Sequence, residues 1–203
     1  ITALALGEVG GWRGLFDIAP TTSMTWAAAV TTVVGTFASA GTGTSSHLSG
    51  VLLGLRTGVE VTHVPYRGSA AAMPDLLAGT TSMMLDVANN TLPYVQRGDV
   101  KGLAVSSPKR IPQLPDVPTF AEAGSDIQAT AVYAVFGPGG VPDEVVDKLS
   151  DAFLAAVEAD SFQEIAASAG LPIEPAEGEE LMSYFTDRTA EVGDIIDDAG
   201  GAV

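Results

Sequence analysis

The sequence predicts an α/β fold built around a mostly parallel sheet. Three observations carry that reading. Short β-branched, apolar runs alternate along the chain with stretches of helical period. Glycine or proline punctuates nearly every change between them. Of the 203 residues, 46% are hydrophobic, enough for a sizeable core and too many for a disordered chain.

Each element follows from local chemistry. Residues 32–39 (TVVGTFAS) read as a buried strand, broken by Gly41-Thr42-Gly43. Residues 45–55 form a helix with Leu48, Leu52 and Leu55 on one face, ended by Gly58. Residues 59–66 (VEVTHVPY) form a strand whose exit is marked by Pro65 and Gly68. Ser69 caps a short Ala-rich helix carrying Met73, Leu76 and Leu77, and Gly79 stops it. Residues 82–86 (SMMLD) are a strand, residues 91–97 a helix ended by Gly98, and residues 101–106 (KGLAVS) another strand. Pro108, Pro112, Pro115 and Pro118 mark an extended loop, and Pro118 opens a short helix at 119–123. Residues 129–136 (ATAVYAVF) are expected as a strand, followed by the loop GPGGVP at 137–142. Residues 143–160 form a long helix with Val146, Leu149, Phe153 and Val157 inward. A helix at 162–169, a short strand at 171–173 and a final helix at 177–198 burying Leu181, Tyr184 and Phe185 complete the chain. Strands separated by helices imply right-handed crossovers.

Charge and composition exclude several classes. Nine Lys+Arg against 25 Asp+Glu give a net charge of −16, which argues against nucleic acid or an anionic membrane surface as partner. The acidity is concentrated: residues 143–203 hold 16 acids and two bases, read as solvated helix faces, and no EF-hand spacing occurs among them. There is no cysteine, so disulfides, thiolate metal sites and cysteine nucleophiles are excluded. The longest apolar stretch, residues 26–38, is interrupted by Thr31, Thr32, Gly35 and Thr36 and is too short to cross a membrane, which needs ~20 apolar residues. The opening ITALALGEVGGW lacks the basic start of a signal peptide.

Ligands of such sheets sit outside the carboxyl ends of the strands. Three loops lie there. In residues 39–46 (SAGTGTSS) a strand ends, glycines admit a close guest, and a helix starts with hydroxyl residues. A helix N-terminus favours an anion. Without a lysine or a phosphate-loop pattern, a carboxylate fits better than a nucleoside triphosphate. Ser39, Gly41, Gly43, Thr44 and Ser45 are therefore candidate ligand contacts, alongside a plain helix cap as the alternative. In the second turn, Tyr66 can wall the ligand or donate its hydroxyl, Arg67 can pair with a carboxylate or face solvent, and Gly68 frees the backbone. Asp86 ends an apolar strand and either caps the next segment or meets the ligand. Asn89 and Asn90 serve turn formation or amide contacts. His47 and His63 lack triad order and metal spacing. No catalytic residue, metal or cofactor is expected.

The runs FASAGTGTSSHLSG, VTHVPYRGSAAAMPDLLAG and MMLDVANNTLPYVQRGDVKGLAVSSPKRIPQLPDVPTFAEAG resemble the extracytoplasmic receptors of tripartite tricarboxylate transporters, the Bug/TctC family. GPGGVPDEVVDKL and the ending EPAEGEELMSYFTDRTAEVGDIIDDAG are similar to that family's Pro-Gly loop with its helix and to its C-terminal helix. The resemblance spans roughly residues 36–200. It implies a type II periplasmic-binding-protein fold, two α/β lobes closing on a ligand. Residues 21–130 would form the second lobe, with residues 1–20 and 131–203 forming an incomplete first lobe, because the family's opening strand and Gly-rich loop have no counterpart here. It implies that Gly41–Ser46, Tyr66–Gly68 and Asp86 face the cleft. The implied ligand is a small carboxylate: a di- or tricarboxylate, an acidic amino acid or an aromatic acid. The implied partners are membrane transporter subunits and the implied location is the periplasm, without direct membrane insertion. A sensory ligand-binding module of the same fold, and an enzyme using His47 and Asp86 as an acid–base pair, are the alternatives. The net charge does not forbid an anionic ligand, since exposed acids beyond ~10 Å are largely screened in salt.

Overall fold

A computed structural model describes residues 2–6, 35–125, 127–129 and 132–201. Five strands form one sheet: β1 (Thr2–Leu6), β2 (Thr36–Ser39), β3 (Thr62–Pro65), β4 (Met83–Val87) and β5 (Lys101–Val105), in the order β3-β2-β4-β1-β5. The helices are α1 (Ser45–Thr57), α2 (Ser69–Leu77), α3 (Ala88–Arg97), α4 (Asp143–Glu158), α5 (Asp160–Ser168) and α6 (Gly178–Asp198). β2 pairs in parallel with β3 and with β4, while β1 runs antiparallel between β4 and β5. The carboxyl ends of β2, β3 and β4 therefore lie at one edge of the sheet, where α1, α2 and α3 begin.

Alternation along the strands sorts the core into two faces. Phe37 on β2 and Met83 and Leu85 on β4 pack with Leu52 and Leu53 of α1, Phe120 and Ile195 of α6. Ala38 and Met84, one residue on, face the other way, against Ala72, Met73 and Leu76 of α2. Parity thus places Ser39 on the α1 face and Asp86 on the α2/α3 face. α1 approaches β2 closely because Gly50 presents no side chain: a Cβ there would lie 2.1 Å from the Phe37 ring.

Several expectations change. Residues 2–6, grouped by the sequence reading with residues 131–203, join the same sheet as β2–β5. Residues 32–34 of the first expected strand lie outside the described residues. Residues 129 and 132–136 form no strand, since no neighbouring strand offers them a ladder among the described residues; Tyr133, Val135 and Phe136 are 73%, 68% and 67% exposed. Residues 171–173 are likewise irregular. The helix expected at 119–123 is a single turn. Thr119 and Glu122 exchange the two bonds of a capping box, but Gly124, with φ +88°, closes the turn at once. The long helix breaks at Ala159, and α4 buries no residue: Val146, Leu149 and Phe153 are exposed. On α1 the buried aliphatics are Leu52 and Leu53, with Leu55 exposed, because small residues (Ser46, Ser49, Gly50) form the face toward the sheet. Leu181, Tyr184 and Phe185 are half-buried, and Ile195 is the buried residue of α6.

Two glycines give opposite expected outcomes. Gly50→Ala forces overlap with Phe37 and is expected to destabilise the protein by about 1–3 kcal/mol in urea unfolding. Gly193→Ala, on α6 with open space around it, is expected to gain about 0.5–1 kcal/mol. Equal effects of the two changes would show that α1 does not seat on Phe37 as described.

Candidate functional site

The loop from β2 to α1 is built by its own hydroxyls. Thr44 is the N-cap of α1, in extended geometry, and its Oγ1 accepts from the His47 N–H at 3.4 Å while donating to the Gly41 carbonyl at 2.6 Å. Ser46 Oγ accepts from the Ala40 N–H at 2.9 Å and lies 3.0 Å from Thr44 Oγ1. Gly43, with φ +77°, points its N–H at His47 Nδ1 over 3.1 Å. Ser39, fully buried, bridges the Gly41 N–H (3.1 Å) and His63 Nε2 (2.6 Å). Among the described residues the N–H groups of Ser45 and Ser46 have no protein acceptor. They are the unpaired donors of the first turn of α1, Ser45 half-buried and Ser46 buried.

The second turn is stitched to the first. Tyr66 N–H donates to Ser39 O at 3.1 Å, and Gly68 N–H to Ala40 O at 3.0 Å, continuing the β2–β3 ladder past the sheet. The structure thus brings together Ser39, Gly41, Gly43, Thr44 and Ser45 with Tyr66, Arg67 and Gly68. Arg67 is exposed, makes no ion pair among the described residues, and is the one charged side chain in the two loops. The Tyr66 hydroxyl is already used: it donates to Asp75 Oδ2 at 2.7 Å, and that bond with burial pushes its pKa up to about 12. Tyr66 can wall a ligand but its proton is committed.

Asp86 is 1% exposed and serves as a junction. It accepts from Ser69 Oγ at 2.8 Å and from Asn90 Nδ2 at 3.1 and 3.3 Å, and also caps the Val87 amide. It therefore ties the end of β4 to the starts of α2 and α3. Burial raises its pKa, and these hydrogen bonds oppose that rise. Asn90 acts within this junction, its amide donating to Asp86 and Ser69.

One contact was not legible in spacing. His47 and His63 stack with centroids 3.8 Å apart, and Phe37 lies 4.8 Å from His63. Burial lowers both pKa values, and His47 lowers that of His63 further. The parallel register that sets Phe37 beside His63 was the missing information. Parity puts His47 on the α1 face and Asp86 on the opposite face, so the two do not form an acid–base pair. Ser39 and His63 lie at nucleophile–base distance, but Ser39 is buried beneath the loop. No group of metal-binding side chains occurs among the described residues. A cavity of about 510 Å³ lies elsewhere, between α1 and α6, lined by Leu52, Arg56, Glu191 and Ile195 among others. Its position near the far end of α1, away from the open amides, sets it apart from the loops.

The sequence profile described as "Tripartite tricarboxylate transporter family receptor" matches residues 21–200. A protein from the tcbD-tcbE intergenic region of Pseudomonas sp. (strain P51) is 39% identical over 155 residues, covering 75% of this chain and 46% of that protein. The chain spans about half the length of this and a second curated relative from Agrobacterium vitis, of which it covers 49%. Among solved structures, R. palustris Rpa4515 with adipate matches with TM-score 0.81 and 27% identity, over 98% of this chain and 65% of that one. The periplasmic binding protein BugD matches with TM-score 0.78 and 30% identity, over 98% and 66%. MatC (Rpa3494) of Rhodopseudomonas palustris with bound malate matches with TM-score 0.76 and 26% identity, over 96% and 66%.

The buried acid gives a pH signature. Its folded-state pKa is raised above the unfolded carboxylate value of about 3.9, so between the two the folded chain holds the extra proton and stability falls as pH rises. Asp86→Asn removes that titration. The stability of the wild type relative to the variant, from urea midpoints across the acid-to-neutral range, is expected to decline with rising pH and then level off. A difference that grows with pH would contradict the buried, desolvated placement.

Proposed function

This chain belongs to the tripartite tricarboxylate transporter receptor family, and from that premise we propose that it is an extracytoplasmic receptor that captures a small carboxylate for delivery to a membrane transporter. The observation that carries the reading is the pair of amides, Ser45 and Ser46, left without a protein acceptor at the N-terminus of α1 among the described residues. A carboxylate placed there gains two charge-assisted hydrogen bonds, the hydroxyl of Ser45 as a third donor, and the favourable end of the helix dipole. Gly41 and Gly43 keep side chains out of its path. Gly68 and the Tyr66 ring shape the adjoining wall, and Arg67 lies on the second turn, within the same stitched loop pair, to meet a second carboxylate. Asp86 holds α2 and α3 in place and takes the role of a positioning group.

The bound acids of two structural neighbours, adipate and malate, support dicarboxylates as the ligand class. The family and its neighbours are binding proteins, which supports capture without turnover. In this reading residues 21–130 carry the anion loops, residues 131–203 contribute to the other lobe, and ligand is trapped as the lobes close. The periplasmic neighbour BugD supports the same compartment here. Among the described residues no helix is long and apolar enough to cross a membrane.

Ser45 offers a selective test. It is the first residue of α1, where proline is tolerated, and Thr44 before it already has φ −76° and ψ 162°, the extended geometry that a following proline requires. Ser45→Pro deletes one open N–H and the hydroxyl while keeping the helix. Calorimetry with adipate and malate is expected to show affinity reduced by roughly ten- to a hundredfold, with the melting temperature unchanged. Ser45→Ala, which keeps the N–H, is expected to lose less. Undiminished binding by Ser45→Pro would remove the helix terminus from the site.

A further inference from the structure

We propose that His47 is the positioning residue of the carboxylate loop and works as a proton-operated latch: neutral, it holds Gly43 in place for the ligand, and protonated, it releases the loop. The inference rests on the carboxylate reading of α1 and adds its regulation.

The geometry defines the state of the ring. Gly43 N–H donates to His47 Nδ1 at 3.1 Å. An imidazole nitrogen accepts only when it carries no proton, so His47 is neutral here with its hydrogen on Nε2. Protonation turns Nδ1 into a donor. Two N–H groups then face each other across the same 3.1 Å, and the Gly43 amide loses its acceptor. Little else holds that residue: Gly43 is exposed, has φ +77°, and has nothing within 4 Å of where a side chain would start. Gly43 lies two residues before the open amide of Ser45. Its displacement disturbs the loop where the carboxylate sits.

The surroundings of the ring favour a switch. From β3, the His63 ring stacks on His47 at 3.8 Å; from β2, Phe37 lies at 6.3 Å and Ser39 holds His63 through its Nε2. From the loop come the Gly43 amide and the hydroxyl of Thr44, which accepts the His47 backbone N–H. Among the described residues no carboxylate, lysine or guanidinium bonds to either ring. The titratable neighbour of each histidine is the other, so a proton on one disfavours a proton on the second. With burial also favouring the neutral form, the latch stays shut through neutral pH and opens on the acid side of the ordinary histidine value of about 6.5. A simple attraction between imidazolium and carboxylate predicts the opposite trend, tighter binding in acid, so the two accounts separate cleanly.

The test uses the ligand-free chain and then adipate. By NMR, the protection factor of the Gly43 amide is expected to drop roughly tenfold between pH 7.5 and pH 5, as the bond to Nδ1 is lost. Adipate affinity by calorimetry is expected to fall by a similar factor over the same range. His47→Gln, whose amide oxygen accepts without titrating, is expected to bind adipate at pH 7.5 and to show neither pH dependence; His47→Asn serves if the glutamine variant does not fold. A Gly43 protection factor that is flat with pH, adipate affinity that rises on acidification, or a glutamine variant that keeps the wild-type profile overturns the latch. A titrating Gly43 amide in a chain that binds neither adipate nor malate at pH 7.5 instead overturns the carboxylate reading while upholding the latch.

Discussion

The loop between β2 and α1 depends on one constraint: its own hydroxyls, imidazole and backbone must satisfy most of its polar groups while the first-turn amides of α1 keep no protein acceptor among the described residues. A helix start buried without partners is costly, and one capped by its own loop has nothing left for a guest. Here the loop satisfies itself almost completely. Ser46, Ser39 and His47 accept from the amides of Ala40, Gly41 and Gly43, Thr44 donates to the Gly41 carbonyl and accepts the His47 amide, and the turn after β3 lends two further backbone bonds through Tyr66 and Gly68. At the start of α1 the amides left without a protein acceptor among the described residues are those of Ser45 and Ser46.

The sheet supplies the platform for this arrangement. Because β2, β3 and β4 are parallel, three helix starts converge on one edge, and the central strand β2 carries the loop with the open amides. The two faces are kept apart by strand parity. The α1 face holds the aromatic and imidazole stack, and the α2/α3 face holds the Asp86 junction. Both support the loops from below. The acids of the C-terminal helices are mostly exposed, so their charge is solvated and screened rather than focused on the loops.

Much of this was legible before any coordinates. Glycines at 41, 43, 58, 68, 79 and 98 take positive φ where the sequence shows a turn or a helix end. Local chemistry fixes such points, so the order of β2 to β5 and α1 to α3 reads directly from the chain. Long-range pairing is a different matter. The strand at residues 2–6 has no local mark that it inserts between β4 and β5. Residues 129 and 132–136 belong to a run of strand composition but form no ladder among the described residues, and α4 has an amphipathic period but buries no residue. A pattern shows which face is apolar, whereas burial depends on what the rest of the fold brings to it. The same applies at the site. The hydroxyls and glycines near Thr44 were visible, while the use of the Tyr66 proton by Asp75, the placement of Asp86 on the α2/α3 face and the contact between two histidines sixteen positions apart in sequence required the register.

The central claim is that the anion sits on the first turn of α1. The most direct measurement is a titration of the nitrogen-15-labelled chain with adipate, following every backbone amide by NMR. The account predicts that the largest shifts fall on Gly43, Thr44, Ser45 and Ser46, with Arg67 and Gly68 next. Shifts confined to the α1–α6 cavity around Leu52, Arg56 and Ile195, with the loop amides unmoved, would contradict it.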